Sequence, residues 1–136
     1  MRILFVCIEN SGRSQMAEAF ARRLGGGRVE AFSAGSRPSG TVHPKTLALM
    51  REIGYDLGGH RSKGLGEVPQ GPYDFVITMG CGDACPWIPA RNHIEWDIPD
   101  PKNLPDDEFR KVRDQIAAKV EDLITNETRF QTDIHD

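Results

Sequence analysis

The chain has 136 residues, of which 38% are hydrophobic and 27% charged, and its formal net charge is −3. This length suits one globular domain, and the ordinary composition excludes collagen-like, disordered and coiled-coil classes. The balance of 17 basic against 20 acidic residues argues against binding to a nucleic-acid backbone. No apolar run approaches the ~18 residues of a membrane span, and the first run lacks a signal-peptide pattern. We therefore expect a cytoplasmic protein with neither nucleic acid nor membrane as a partner.

The first half of the chain predicts two strand–helix pairs. The apolar run at residues 2–6 is typical of a strand buried on both faces. A polar turn leads to a helix with apolar positions at i, i+3, i+4 and i+7, namely Ala17, Phe20, Ala21 and Leu24. Three glycines at 25–27 end it, and residues 29–34 predict the second strand. A second helix begins at Pro44 and stops at Gly54, with apolar positions Leu47, Met50 and Ile53.

The second half predicts two strands and a long helix. Residues 57–72 are rich in Gly, Pro and charge and predict a loop with a short helix. Strands follow at 75–79 and, more weakly, at 93–98. An amphipathic helix spans 106–124, with Phe109, Val112, Ile116, Val120 and Leu123 on one face. The alternation predicts one α/β domain over 1–125, a doubly wound parallel sheet with right-handed crossovers, followed by a polar tail at 126–136.

The segment between the first strand and the first helix has the length of an oxyanion-binding loop: Cys7-Ile8-Glu9-Asn10-Ser11-Gly12-Arg13-Ser14. Ligands of open α/β sheets bind beyond the carboxyl ends of the strands. There, backbone N–H groups and a helix N-terminus favour a tetrahedral oxyanion, two of whose oxygens would be held by Arg13. The same positive field favours the thiolate form of Cys7, which could attack the central atom, and Ser14 could donate to its sulfur.

This chemistry also needs an acid that protonates the departing oxygen. The candidates are Asp97, Asp100, Asp106 and Asp107. Asp100 and Pro101 follow the last predicted strand and so lie at the same sheet edge as Cys7. The local pattern alone is typical of a solvated turn aspartate, and only the partnership with Cys7 makes Asp100 the preferred candidate.

Two further cysteines, Cys81 and Cys85, follow the strand at 75–79 and belong to the same edge. The total of three cysteines is odd, which excludes a fully paired disulfide framework. A zinc site with His93 is the weaker hypothesis, because a Cys-x3-Cys spacing is not the usual zinc hook. A dithiol near a nucleophilic cysteine favours a relay in which one thiolate displaces another.

The combined pattern resembles the arsenate reductases built on the low-molecular-weight protein tyrosine phosphatase fold. The likeness runs from residue 2 to about 124 and rests on Cys7-x5-Arg13-Ser14, Gln15-Met16-Ala17-Glu18, Ser33-Ala34-Gly35, His60, Cys81/Cys85 and Trp96-Asp97-Ile98-Pro99-Asp100-Pro101. The resemblance implies a four-stranded parallel sheet flanked by helices, in a flavodoxin-like three-layer arrangement.

The resemblance also implies a mechanism. Cys7 attacks arsenate held by residues 8–14, and Asp100 protonates the departing hydroxyl. Cys81 attacks the Cys7 sulfur and arsenite leaves. Cys85 then attacks Cys81, and thioredoxin or a similar reductant reduces the resulting Cys81–Cys85 disulfide. An external thiol reductant and no bound cofactor are therefore expected, with phosphate and sulfate as competing oxyanions.

The sequence departs from the family pattern at the redox pair and at a cation site. Only three residues separate Cys81 from Cys85, and related enzymes with a similar Cys-Gly-Asp-x-Cys-Pro segment can use low-molecular-weight thiols, so the reductant stays open. Some members hold potassium near the loop, but Lys63 stands where an aspartate is expected, and its ammonium could replace the ion. No metal is therefore predicted, although three residues match the potassium site: Asn10, Glu18 and Ser33.

The alternative function is a phosphotyrosine phosphatase that uses Cys7, Arg13 and Asp100 alone. Such phosphatases usually carry tyrosines after the Asp-Pro pair and a proline after the Arg-Ser pair. Here Lys102-Asn103 and Gln15 occupy those places, so phosphatase chemistry is expected only as a weak side activity. A third hypothesis is a non-catalytic module that binds an oxyanion or is stabilised by zinc.

Overall fold

The computed structural model describes residues 1–81 and 85–135, with side chains described as far as residue 126. These residues form four strands and three α-helices in the order β1 (Arg2–Cys7), α1 (Arg13–Gly25), β2 (Glu30–Gly35), α2 (Pro44–Arg51), β3 (Tyr73–Thr78), β4 (Ala90–Glu95) and α3 (Asp106–His135). The short helix expected within 57–72 is a single 3-10 turn, Leu65–Glu67.

The strands form one parallel sheet in the order β2-β1-β3-β4. This confirms the predicted α/β class and the four-stranded parallel sheet. Because β1 lies between β2 and β3, the end of β1 is flanked by two neighbours: Cys7 pairs with Gly35, and Val6 pairs with Thr78. The segments that follow β1 and β3 therefore leave the same edge of the sheet side by side.

The alternation of side chains along β1 separates two apolar clusters. Ile3, Phe5 and Cys7 face the cluster formed with the helices, which includes Phe20, Met50 and Ile116. On the opposite face, Leu4 and Val6 pack against residues of the connecting segments, namely Leu65, Val68, Cys81, Cys85 and Ile88. The second face of the sheet is thus covered by the segment around the 3-10 turn and by the segment that carries the two later cysteines.

The boundaries of β4 differ from the sequence prediction. The strand was expected at 93–98 but spans Ala90–Glu95, and most of its residues are exposed because it forms an edge of the sheet. The apolar signal came from Trp96 and Ile98, which lie just beyond the strand. Both are buried in the helix-side core, so their burial reflects core packing and not strand pairing.

The helices also differ in detail from their predictions. Leu24 and Ile53 were placed on apolar helix faces but are 42% and 39% exposed, because α1 buries its residues only as far as Ala21 before its last turn and α2 ends at Arg51. α3 continues to His135 instead of ending near Ile124, so residues 126–135 of the expected loose tail are helical; no Gly or Pro after Ile124 would end the helix. Within residues 1–81 and 85–135, no helix is long and apolar enough to cross a membrane.

Candidate oxyanion site and redox cysteines

The oxyanion loop (residues 7–14) turns its carbonyl groups outward. The donors that hold these carbonyls lie on neighbouring segments: Ser36 N–H to Cys7 O at 3.2 Å, Arg37 N–H to Ile8 O at 2.7 Å, Ser62 Oγ to Glu9 O at 2.6 Å and His43 N–H to Ser11 O at 3.0 Å. In a trans peptide the N–H points opposite to the C=O. The loop therefore presents its N–H groups to its own interior, as an anion-binding loop requires.

Asn10 fixes the shape of the loop. It is fully buried and adopts a left-handed φ of 52°, a conformation that Asn tolerates better than most residues. The backbone N–H of Lys63 donates to Asn10 Oδ1 at 3.0 Å, which identifies that atom as the oxygen. The amide nitrogen of Asn10 consequently faces Ser14 Oγ, at 2.7 Å.

The nucleophile candidate Cys7 is a free, buried thiol whose sulfur has two hydrogen-bond partners. Ser14 Oγ lies 2.8 Å from Cys7 Sγ, and the N–H of Asn10 donates to the same sulfur at 3.3 Å. Because the Asn10 amide already donates to Ser14, the hydroxyl hydrogen is free to point at the sulfur. Two donors aimed at one sulfur stabilise its anionic form, which agrees with the role predicted for Ser14.

Gln15 supports Asn10 from behind, a contribution that the sequence analysis did not assign. Its amide nitrogen donates to Asn10 Oδ1 and to the carbonyl of Arg61, both at 2.9 Å. Its oxygen therefore faces His60 Nδ1 at 3.2 Å, and that ring nitrogen carries the hydrogen. A polar residue immediately after the Arg-Ser pair, where phosphatases carry proline, was the available signal.

Burial lowers the pKa of His60 below its usual value of 6.5; Glu18 opposes this shift, whereas Arg22 and Lys63 reinforce it. The ring is therefore neutral at pH 7, and its 3.7 Å approach to Glu18 is not an ion pair at that pH. A neutral ring with hydrogen on Nδ1 is the form that the Gln15 contact requires.

The ammonium of Lys63 and the guanidinium of Arg22, which is 3.4 Å from Glu18 Oε2, together neutralise a buried carboxylate beneath the loop. Glu18 is only 2% exposed and accepts a hydrogen bond from Ser33 Oγ at 2.8 Å. Lys63 Nζ lies 3.5 Å from Glu18 Oε1 and donates to Ser33 Oγ at 3.2 Å. A buried carboxylate needs such compensation, and the ammonium contacts two of the three groups that match the potassium site of the family.

Gly35 permits the close packing of the loop against β2. A Cβ at this position would lie 2.6 Å from the Ile8 carbonyl and 2.9 Å from the Asn10 nitrogen. Both neighbours are backbone atoms, so neither could move without deforming the loop. The Ser33-Ala34-Gly35 motif thus has a steric explanation at its third residue.

Arg13 and Asp100 lie together beside the loop. Arg13 is 6% exposed; its Nη1 donates to the Ile98 carbonyl at 3.0 Å, and its Nη2 is 3.8 Å from Asp100 Oδ2. Asp100 is half-exposed, as befits a group that exchanges protons with solvent. Of the four candidate acids, Asp100 is the one that this structure brings to Arg13.

Lys102 ties the segment after Asp100 to the oxyanion loop. Its Nζ donates to Glu9 Oε1 at 3.0 Å, and its backbone N–H donates to Asp100 Oδ1 at 3.0 Å. In the sequence, Lys102 is notable only because it stands where phosphatases of this fold usually carry a tyrosine. The two bonds link the carboxylate of the loop and the candidate acid through one residue.

Cys81 and Cys85 form a disulfide, with Cα atoms 5.6 Å apart. Cys81 is 6% exposed, whereas Cys85 is partly exposed. In this state neither sulfur is a thiolate, so the pair cannot bind zinc as that hypothesis required. Cys7 is not part of this disulfide, so the structure joins two of the three predicted redox residues and leaves the third in the loop.

Comparison with known proteins places the chain among relatives over nearly its whole length. The model of the low molecular weight phosphotyrosine protein phosphatase family matches residues 2–133. A glutaredoxin arsenate reductase of Synechocystis sp. is 40% identical over 126 residues, which cover 90% of this chain and 95% of that protein. An arsenate reductase 2 of Staphylococcus haemolyticus is 36% identical over 127 residues, with the same coverage of 90% and 95%.

The chain belongs to the low molecular weight phosphotyrosine protein phosphatase family. Solved structures agree with this assignment and point to its arsenate reductase members. An arsenate reductase in the phosphate-binding state matches with a TM-score of 0.84 at 39% identity, over 92% of this chain and 97% of that chain. A thioredoxin-dependent arsenate reductase of Corynebacterium glutamicum matches with a TM-score of 0.74 at 32% identity, over 92% of this chain and 60% of that chain. These matches confirm the resemblance inferred from the motifs.

In this family member, the segment after Cys85 is the most exposed apolar part of the site. Trp87 is 74% exposed and stacks on His93, with ring centroids 5.2 Å apart. His93 is thereby used in packing, and its Nε2 lies 2.6 Å from the Ile88 carbonyl. The residue that the zinc hypothesis needed as a ligand therefore has a structural role beside the disulfide.

Proposed function

We propose that this chain reduces arsenate to arsenite with Cys7 as the nucleophile and Cys81 and Cys85 as a disulfide relay. The observation that carries this proposal is the Cys81–Cys85 disulfide, in the segment that follows β3, the strand next to β1. Hydrolysis of a phosphate ester would need only Cys7, Arg13 and Asp100. Hydrolysis transfers no electrons and would not use the redox-active Cys81–Cys85 pair at the same sheet edge, whereas arsenate reduction would.

The first step is substitution at arsenic. The oxyanion binds to the inward N–H groups of the loop and to the planar guanidinium of Arg13. The Cys7 thiolate attacks arsenic, a sulfur–arsenic bond forms, and one arsenic–oxygen bond breaks. Asp100 donates a proton to the departing oxygen, which leaves as water once it carries two hydrogens.

The second step transfers two electrons. The Cys81 thiolate attacks Cys7 Sγ, a disulfide forms, and the electron pair of the sulfur–arsenic bond stays on arsenic, which leaves as arsenite. The Cys85 thiolate then attacks Cys81 Sγ and releases the Cys7 thiolate. The product of this exchange would be the Cys81–Cys85 disulfide described above, which supports the order of the relay.

An external thiol completes the cycle by reducing that disulfide. The partial exposure of Cys85, against the burial of Cys81, favours Cys85 as the sulfur that the reductant attacks. The relatives include a glutaredoxin arsenate reductase and a thioredoxin-dependent one, so glutaredoxin and thioredoxin are both candidate reductants. Low-molecular-weight thiols are candidates because the Cys81–Cys85 segment resembles that of related enzymes that can use them. The cycle needs no bound cofactor, and its dependence on external thiols favours the cytoplasm.

Substitution of the three cysteines tests the proposal. Cys7→Ser is expected to abolish all activity, whereas Cys81→Ser should stop multiple-turnover arsenate reduction but spare hydrolysis of a small aryl phosphate. Cys85→Ser should accumulate a Cys7–Cys81 disulfide, which peptide mapping under non-reducing conditions would detect. Normal arsenate reduction by both Cys81→Ser and Cys85→Ser would rule out the relay.

Phosphotyrosine hydrolysis is the second candidate, because the set of Cys7, Arg13 and Asp100 serves a phosphate ester equally well. Phosphate and arsenate are near-isosteric, so we expect a weak side activity and competition by phosphate and sulfate. Assays of the wild-type chain with arsenate and with a phosphotyrosine peptide separate the two functions. Hydrolysis of the peptide without arsenate consumption, with thioredoxin, glutaredoxin and low-molecular-weight thiols each supplied, would favour the phosphatase.

A further inference from the structure

We propose that Gly80 is a positioning residue whose missing side chain makes room for the guanidinium of Arg13 and thereby sets the affinity for the oxyanion. This inference deepens the proposed function and rests on it for the role of Arg13. Gly80 immediately precedes Cys81 in the segment that follows β3. The backbone that carries the first relay thiol would thus also form one wall of the arginine site.

The contact is specific to the position of a Cβ atom. A Cβ built on Gly80 would lie well inside van der Waals contact of Arg13 Nη1, 3.3 Å from Arg13 Cζ and 3.4 Å from the Ile98 carbonyl oxygen. The space that a side chain would use is therefore filled by the guanidinium. Gly80 also has a left-handed φ of 86°, which glycine adopts without steric cost.

A Cβ at residue 80 would displace the Arg13 side chain and not the backbone of residue 80, because the backbone is held more firmly. The backbone before Gly80 is fixed to the sheet, since the Met79 N–H donates to the Val6 carbonyl at 2.8 Å. Arg13 contributes the end of a long side chain, anchored by its 3.0 Å bond to the Ile98 carbonyl. A methyl group at residue 80 would push away this end of the side chain, so the fold would lose little stability beyond the cost of a Cβ at positive φ.

Gly80→Ala would reduce the affinity for the oxyanion more than it would reduce the stability of the fold. A guanidinium binds two oxygens of a tetrahedral anion only when its planar fork faces them. A displacement of about 1 Å is enough to reduce a positioned interaction by up to ~10²-fold. Gly80→Ala should therefore weaken oxyanion binding while leaving the unfolding temperature close to that of a matched control.

The matched control is Gly54→Ala. Gly54 has nearly the same φ, 89°, but a Cβ there would lie 3.7 Å from Arg23 Nη1, an ordinary contact, and away from the loop. Gly80→Asn is the second variant, because Asn tolerates positive φ better than Ala but still carries a Cβ. Strain alone would penalise Gly54→Ala as much as Gly80→Ala and would be relieved in Gly80→Asn.

The experiment measures binding of inorganic phosphate to the full chain by titration calorimetry, beside the KM for arsenate and the unfolding temperature. We expect Gly80→Ala and Gly80→Asn to weaken phosphate binding at least about tenfold and to raise KM in parallel, and Gly54→Ala to bind as wild type. Wild-type affinity in Gly80→Ala, recovery in Gly80→Asn, or an equal loss in Gly54→Ala would overturn the inference. Absence of arsenate reduction by a wild-type chain that binds phosphate would instead count against the proposed function.

Discussion

The oxyanion loop and the redox segment (Gly80, Cys81 and residues 85–89) leave adjacent strands at one sheet edge, yet they are held differently. In the loop, carbonyl groups accept hydrogen bonds from surrounding segments, and Asn10, Arg13 and Ser14 are at most 6% exposed. In the redox segment, Trp87 is 74% exposed and Cys85 is partly exposed.

The two regions serve different parts of the proposed reaction. Binding and attack are fastest when the donors are already in place and do not reorganise during the reaction. Disulfide exchange instead requires that a thiol reach a new partner and that an external reductant approach the sulfur. Changes that loosen the loop should therefore affect every activity, whereas changes in the cysteine pair should affect reduction only.

Among substitutions outside the cysteines, the largest loss is expected from Gly35→Ala, which would deform the oxyanion loop. The new Cβ meets the Ile8 carbonyl and the Asn10 nitrogen, so the loop cannot keep its shape. We expect kcat/KM to fall by about 10²-fold or more for arsenate reduction and aryl phosphate hydrolysis alike. Gly66→Ala is the control, because a Cβ there meets nothing within 4 Å; normal activity in Gly35→Ala would contradict the steric account.

Ser14→Ala should have the next largest effect, since it removes one of the two donors to the Cys7 sulfur. A hydrogen bond to a charged group contributes about 1.5–3 kcal/mol, which corresponds to a loss of roughly 10- to 150-fold. The measurement is the rate of Cys7 alkylation by iodoacetamide in a Cys81→Ser/Cys85→Ser background. The control is Ser39→Ala, which removes an exposed hydroxyl bonded to the Thr41 carbonyl. Cys7 in this variant should be alkylated at the same rate as in the Cys81→Ser/Cys85→Ser background. Equal rates for Ser14→Ala and Ser39→Ala would refute the role of Ser14.

Lys102→Met should have a smaller effect, because Lys102 lies at the exposed rim of the loop. Its bond to Glu9 joins two partly exposed side chains, and such pairs contribute about 0.2–1 kcal/mol. We expect kcat/KM to fall by at most about 5-fold, and the difference from wild type should shrink at high salt. In a double-mutant cycle, Glu9→Gln should lose most of its effect when Lys102 is already Met; strictly additive effects would argue against the link.

The smallest effect on activity is expected at Glu52, which belongs to neither region. Hydrogen bonds from Arg110 and Arg113 lower the pKa of Glu52 from 4.5 to about 2. Because the folded value is the lower one, ionised Glu52 stabilises the fold above pH 4.5, and this contribution is lost as the pH falls towards 2. Glu52→Gln should lower the unfolding temperature at pH 7, with a difference that disappears near pH 2 and with unchanged kcat. A difference independent of pH would contradict this assignment.

Much of the fold followed from periodicity, and the exceptions have physical causes. The buried run at 2–6 and the spacing of Phe109, Ile116 and Val120 predicted a central strand and a core-facing helix correctly, because burial is continuous there. The prediction for β4 was shifted, since Trp96 and Ile98 are buried outside the ladder. Local sequence reports burial, and burial alone does not distinguish an edge strand from the segment that follows it.

The sequence predicts the position of a side chain in the candidate site where its residue type has one plausible chemical role there. Cys7, Arg13 and Ser14 had such uses, and the structure places Ser14 on the sulfur as expected. The carbonyl of Ile98 and the N–H groups of Ser36 and Arg37 act through the backbone, so their side chains give no signal. Gln15 and Lys102 act through pairings across 45 and 93 positions of sequence, which one sequence does not reveal.

The Lys63–Glu18 contact beneath the loop has a consequence for how the protein depends on its surroundings. A cation held by a covalent tether is present at the same local concentration whatever the ionic composition of the medium. A free ion would be diluted, exchanged or displaced. The rate of arsenate reduction should therefore be unchanged when potassium is replaced by sodium at constant ionic strength, and Lys63→Ala should make it respond to that exchange. The lysine would make the protein indifferent to the salt balance of its host.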